Sequence, residues 1–288
     1  MTRPGLEPGL QELKARADLR FALRDGKTRL IRSYAEPPLQ VQRALYRDES
    51  APDMAFLYLL NPTPGLFQGD VQTTQVHTGI SSRVQLTTPS ATKLFAMPDR
   101  AARQEIILTL EADSYLEYLP EPVIPFRGAW LTQRTWVSLA PGAVLVLGEV
   151  LLPGRMARGE CFAFRQLDRR ITVAGPEDWP LFHESSLLTP ATLAPVGRGL
   201  LNAGYPVSGS VVIAAQGRDT SQLAARLRQN LAAAAAEMGS ACQMALSTLP
   251  AHAGLILRLH SRDAQSASHV VRSAAETVRS EFASPQLQ

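Results

Sequence analysis

From residue 19 to residue 173 the chain is cut into strand-length segments by turn signals spaced roughly eight to twelve residues apart, a rhythm that points to a large multi-strand β body. Asp25-Gly26, between residues 19–24 and 27–34, is a two-residue hairpin signal. Further strands are expected at residues 39–46, 54–60, 71–78, 82–88, 104–110, 114–119, 129–139, 143–151, 161–165 and 170–173. Between the second and third of these lies the segment Asn-Pro-Thr-Pro-Gly-Leu-Phe-Gln-Gly-Asp at 61–70. There Pro62 and Pro64 fix φ, Gly65 and Gly69 admit positive φ, and the segment ends on the carboxylate of Asp70.

The last eighty or so residues change character, and the expected order is strand, helix, strand, strand, helix. Asp219 stands where a helix cap belongs, ahead of Leu223, Leu227, Leu231, Ala234 and Met238 at helical spacing, with Gln222 in the capping-box position and Gly239 as the stop. Strands are expected at 241–249 and 254–260. Asp263 then caps a second helix carrying Ala267, Val270, Val271, Ala274 and Val278 on one side. No Gly/Ser or Pro linker precedes Ser210, so these helices are expected to cover one side of the β body within a single domain spanning 1–288. Its parts are a loose arm (1–18), a β-rich part (19–175) and an α+β part (210–283). Residues 175–209 lose periodicity and read as a long surface excursion.

Composition excludes several classes. A 288-residue chain with 45% hydrophobic residues buries a substantial core, while 19% charged residues and a net charge of +3 without a Lys/Arg block give no nucleic-acid footprint. No apolar run reaches bilayer-spanning length and residues 1–10 lack a signal-peptide core, so a cytoplasmic location without membrane contact is expected. Cys161 and Cys242 have no CxxC partner and lie in apolar segments, which reads as two buried thiols. There is no phosphate-binding loop, and Gly197, Gly199 and Gly204 are wrongly spaced for a dinucleotide fingerprint. His183-Glu184 is not completed to a zinc motif, no G-x-S-x-G occurs, and the five histidines form no i,i+3 or i,i+4 pair.

What remains is a set of carboxylates inside apolar or rigid stretches: Glu117 within Tyr-Leu-Glu-Tyr-Leu-Pro, Glu149 within Leu-Gly-Glu-Val-Leu, and Glu160 closing the segment that begins Pro153-Gly154-Arg155. Burying such a group costs several kcal/mol unless it has an Arg partner, a hydrated cavity or an exposed edge. Arg127, Arg134, Arg155 and Arg158 are the candidate partners. Three readings stay open: ion pairs in a structural adaptor, a polar hydrated passage, and an enzyme using a buried carboxylate pair. Asp70 also fits a simple turn cap.

The run Leu86-Thr87-Thr88-Pro89-Ser90-Ala91-Thr92-Lys93-Leu94-Phe95 resembles the TTxxATK signature of the urease accessory protein D family (UreD, also UreH). Residues 116–124 resemble its LEWLPQxxI segment. Leu147-Gly148-Glu149, Gly154-Arg155 and Gly159-Glu160 are similar to GxE…GR…GE, and the loop at 61–70 to PxGGLxxGD. The likeness is strong over 19–173 and weak beyond, including 254–258. Thr63-Pro64 replaces a usual glycine, Tyr118 a common Trp, and Arg127 lies near a position that is often small or acidic.

The resemblance implies a largely β protein with a few helices that does not catalyse a reaction. Such a chaperone docks on apo-urease, holds accessory protein F, and through it meets the GTPase accessory protein G. It binds no cofactor stably and passes Ni²⁺ in transit. Carried over by motif, the candidate passage residues are Asp70, Thr88, Ser90, Glu117, Glu149 and Glu160. Gly65, Gly69, Lys93 and Arg155 shape the motif loops, Lys93 fixing a strand edge or pairing with an acid. Partner contacts are expected from residues 179–188 and the exposed sides of the C-terminal helices, and the chain is expected to be more soluble beside protein F than alone.

Overall fold

Two sheets packed face to face form the body of the protein in a computed structural model, which describes residues 12–196 and 204–282. The strands are β1 (Lys14–Arg24), β2 (Lys27–Ala35), β3 (Gln40–Val41), β4 (Ala55–Leu60), β5 (Val71–Thr78), β6 (Arg83–Thr87), β7 (Thr92–Leu94), β8 (Ala102–Leu110), β9 (Tyr115–Leu119), β10 (Val123–Pro125), β11 (Trp130–Leu139), β12 (Val144–Leu151), β13 (Gln166–Ala174) and β14 (Pro180–Leu188). Helix α1 (Pro190–Val196), β15 (Val207–Ala214), α2 (Ser221–Met238), β16 (Cys242–Thr248), β17 (Gly254–Ser261) and α3 (Ala264–Phe282) complete the described strands and α-helices.

From β4 to β13 the chain winds back and forth between the sheets. Strands β5, β8, β11 and β13 fall in a 7-stranded sheet ordered β14-β13-β11-β8-β5-β1-β2, and β4, β6, β9 and β12 fall in a 10-stranded sheet. Within each set the neighbours run parallel. Parallel strands need a crossover, and here the crossover is a strand of the opposite sheet. The loop at 61–70 carries the chain from β4 in one sheet to β5 in the other. The Asp25-Gly26 turn does close an antiparallel hairpin, with φ of 50° and 69° at its two residues.

This winding brings equivalent positions into register, so that each inward-facing row is a layer across the sandwich. Val76, Leu108, Val137 and Val173 make one apolar layer. Ala102, Leu131 and Leu167 belong to a second apolar cluster with Leu94, Met97 and Phe164. Between them lies a row of different chemistry: Gln72, Gln104, Gln133, Arg169 and Ser186 on five adjacent strands.

A third apolar cluster joins the outer face of the larger sheet to α2 and α3 through Leu223, Leu227, Val270, Val271, Ala274 and Val278. The spacing expected from sequence is the spacing buried. Asp263 Oδ1 accepts the Ser266 N–H at 2.8 Å, as a capping carboxylate should. Asp219 sits one residue before the cap position and accepts the Ser221 N–H at 2.8 Å. Gly148 in β12 lets α3 approach: a Cβ there would lie 2.7 Å from both Val271 Cγ1 and Leu119 Cδ2.

Several expectations need correction. Residues 14–18 are not a loose arm but the start of β1, paired in parallel with β5; residues 1–11 of that arm lie outside the described residues. Of 39–46 only Gln40–Val41 forms a strand; the pairing with β4 then breaks and resumes as a single bridge between Leu45 and Phe56, and Tyr46 donates its hydroxyl to the Thr28 carbonyl at 2.6 Å. Residues 161–165 are irregular: Phe162 has φ of 52°, and the backbone bonds go to Pro153, Gly128 and Ala129 in neighbouring loops. Cys161 is therefore exposed, whereas Cys242 is buried as expected. The supposed excursion at 175–209 contains β14, antiparallel to β13, and α1; residues 197–203 of it lie outside the described residues.

Candidate functional site

The motif residues separate into three places. The first is a scaffold at one end of the sandwich. Asp70, 5% exposed, accepts the Phe67 N–H on Oδ2 at 2.8 Å and the Leu13 N–H on Oδ1 at 3.2 Å, so it closes its own loop and anchors the entry to β1. Gly65, with φ of 154°, brings its backbone so close to Lys93 that a Cβ would lie 2.2 Å from the Lys93 carbonyl oxygen. That approach permits the Leu66 N–H to bond the same oxygen at 2.8 Å. Gly69 also takes positive φ, 79°. Phe67 stacks on Phe95, Phe95 meets Phe126 edge-on, and the Arg155 guanidinium lies 4.2 Å above the Phe126 ring. Arg155 in turn grips Glu160 with two hydrogen bonds, 2.8 and 2.5 Å. Arg155, helped by the Arg127 N–H, holds the Glu160 carboxyl down to about 2.

The second place is Glu117, which faces away from the sandwich interior and into the joint with α3. It is fully buried and accepts from Tyr115 Oη at 2.7 Å, Gln85 Nε2 at 2.7 Å and Arg279 Nε and Nη2 at 2.8 and 2.7 Å. Burial and then the Glu117 charge push the Tyr115 phenol well up. Glu117 and Glu160 are thus parts of fixed ion pairs, and neither lines the interior between the sheets.

The third place is that interior. A cavity of about 130 Å³ opens beside the loop at 61–65, with Gly65, Thr88, Ser90 and Lys93 at its mouth and Gln72, Thr74, Gln104, Tyr118 and Gln133 within. Thr88 Oγ1 accepts the Glu121 N–H at 2.9 Å, while Ser90 and Lys93 are exposed and the Lys93 ammonium makes no ion pair among the described residues. Toward the other edge lies a cavity of about 500 Å³ lined by Glu149, Arg169, Glu184, Ser186, Ser210, Arg258 and His260 together with apolar side chains. The two linings share no residue, but Arg169 of the larger cavity bonds Gln133 of the smaller. Arg169 donates from Nε to Gln133 Oε1 at 2.8 Å and places Nη2 2.5 Å from Glu149 Oε2. On the second sheet Tyr118, in the smaller cavity's wall, pairs with Leu147, two positions along β12 from Glu149; burial, then the Glu149 charge, raises the Tyr118 phenol.

Of the six candidate passage residues, the fold thus brings Thr88 and Ser90 to one mouth and Glu149 to the interior, and sends Asp70, Glu117 and Glu160 elsewhere. The expected partner Arg155 does bind Glu160, and Arg134 binds Asp168 instead of a candidate acid. Nothing in the sequence singles out Arg169 and Arg279, the partners of Glu149 and Glu117, or Gln72, Gln104 and Gln133. The signal for the glutamines was a polar residue at the same inward position of successive strands, legible only once their register is known. Among the described residues no group of three or more His, Cys, Asp or Glu is placed to hold a metal ion, and no helix is long and apolar enough to cross a membrane.

Comparison with known protein families matches residues 13–288 to the family described as UreD urease accessory protein. A urease accessory protein UreD 2 of Streptomyces griseus is 40% identical over 185 residues, 64% of this chain and 63% of that protein, so the match spans less than two thirds of that relative. A urease accessory protein UreD of Haloarcula marismortui is 30% identical over 258 residues, 90% of this chain and 83% of the relative. A urease accessory protein UreD 3 of Methylorubrum populi is 31% identical over 268 residues, covering 92% and 85%. The family match nearly end to end, the motif scaffold and the two-sheet body agree, and the chain belongs to the UreD family of urease accessory proteins.

Proposed function

We propose that the protein is a non-catalytic chaperone of urease maturation in the cytoplasm, and that Ni²⁺ bound for apo-urease travels between its sheets. Accessory protein F holds it in a complex, and the GTPase accessory protein G, recruited through F, supplies the energy step. One observation carries this reading: a row of amide and charged side chains crosses a core otherwise built of apolar and threonine side chains, and runs from one surface cavity to another. A core gains nothing in stability from such a row, whereas an ion in transit needs it. Amide and carboxylate oxygens with water hold Ni²⁺ weakly enough to let it go, as histidine or thiolate cages do not. Thr88 and Ser90 then serve one mouth, Glu149 the interior, and Asp70, Glu117, Glu160 and Arg155 keep the walls in place.

A structural-adaptor reading has its own support, since Glu117, Glu149 and Glu160 all have arginine partners. An enzyme with a raised carboxyl among these three finds no support at Glu160, which is held low. The discriminating experiment expresses a urease operon with this chain absent, native, or carrying Glu149→Gln, and measures complex formation, urease activity and urease nickel content. Passage requires that the variant assemble normally and load less nickel. Normal loading by the variant selects the adaptor, and normal loading without the chain overturns the maturation role.

A further inference from the structure

Arg169 occupies an odd position for a residue on a cation's route. Its guanidinium is always charged, its side chain is 16% exposed, and it ties the two sheets together across the interior, Gln133 belonging to one and Glu149 to the other. While that tie is intact, Glu149 is neutralised and a dication arriving from either cavity meets a fixed positive charge. The only groups binding the guanidinium among the described residues are these two oxygens. A second carboxylate lies close by in the same cavity. Arg169 pairs across the sheet with Ser186, and Glu184 is two positions along that strand on the same face, a diagonal neighbour within reach of a long side chain. Glu184 is held by Arg258 at 2.9 Å, a pair at the exposed edge that is easily exchanged.

We infer that Arg169 is the residue that shuts the passage to cations: bound to Glu149 and Gln133 it closes the junction of the two cavities, and its transfer to Glu184 opens the junction and frees Glu149 to receive the ion. This rests on the passage reading above, and adds to it the residue that decides what crosses and when. No bond is made or broken in the change. One ion pair is exchanged for another, so a partner docking at the edge that carries Glu184 and Arg258 has a direct means of triggering it.

The test reads entry without nickel. In the full chain with Cys161 and Cys242 replaced by serine, a bulky maleimide on Ser90→Cys blocks the first mouth. Labelling of Gln104→Cys by a small cationic methanethiosulfonate then reports entry from the second mouth. With Arg169 and Glu149 present, labelling is slow. In Glu149→Gln/Arg169→Gln, which keeps polar side chains and leaves no orphan charge, it rises at least about ten-fold, a difference near 1.4 kcal/mol or more in the barrier. Arg169→Lys keeps the charge but loses the two-armed tie, and gives a smaller rise of a few-fold. Equal rates in all three chains overturn the proposal. A separate outcome concerns the passage: if blocking Gln104→Cys in the assembled complex leaves urease nickel content unchanged, the conduit reading fails while the labelling result on Arg169 stands.

Discussion

At the scale of single residues, Glu117 shows what the apolar strands of this chain do with a charge. Four hydrogen bonds from three side chains replace its water, and Arg279, which also reaches Asp48 at 2.9 Å, is held in the same way. Removing one partner strands the other: Glu117→Ala is expected to cost about 3–5 kcal/mol in urea unfolding. The paired change Glu117→Leu/Arg279→Met should recover most of it, and a recovered protein that still supports nickel loading would show that this carboxylate is not on the metal's path. Glu160 makes a different prediction. Its folded-state carboxyl lies near 2 against an ordinary 4.5 because Arg155 holds the charged form. The stabilisation is therefore complete above about pH 4.5 and is lost as pH falls from there toward 2. Arg155→Gln should flatten that part of the stability-against-pH curve, measured by urea unfolding at stepped pH, and an unchanged curve would mean the pair contributes nothing.

At the scale of elements, the joint between β12 and α3 is the most demanding contact. Gly148 sits between Glu149, which faces the interior, and Leu147, and it faces the helix where no Cβ fits. Gly148→Ala is expected to destabilise by about 1–3 kcal/mol through overpacking, and Val271→Ala in the same chain should relieve part of it; additive losses measured by thermal unfolding would place the strain elsewhere. Such joints bear on what the sequence discloses. The C-terminal helices were legible because their apolar spacing is local and their caps are two or three residues away. Strand β14 was not, because its inner face lines a cavity: Glu184 and Ser186 stand where a core strand would carry apolar residues, so period-two alternation is lost. The loop motifs revealed Asp70 and Glu160 as important without revealing that they are scaffold, since Phe67, Phe95, Phe126 and Arg155 meet only in three dimensions. The partners Arg169 and Arg279 were invisible for the same reason: Glu117 and Arg279 are 162 residues apart.

At the scale of the whole molecule, the polar row has a cost that its removal should expose. Gln72 and Gln104 bond each other at 2.8 Å and lie between two apolar clusters that would otherwise be continuous. Replacing both at once leaves no unsatisfied amide, and leucine has nearly the same length. Gln72→Leu/Gln104→Leu is therefore expected to fold, to hold or raise the thermal midpoint by a few degrees, and to dry the smaller cavity. If ions travel through that cavity, the more stable protein is the less useful one: urease matured with it should carry markedly less nickel while the accessory complex still assembles. Nickel content measured on purified urease beside the thermal midpoint of the variant decides the matter. Normal loading at normal or raised stability would show that the row is a tolerated imperfection of the core, and the route to urease would have to run over the surface.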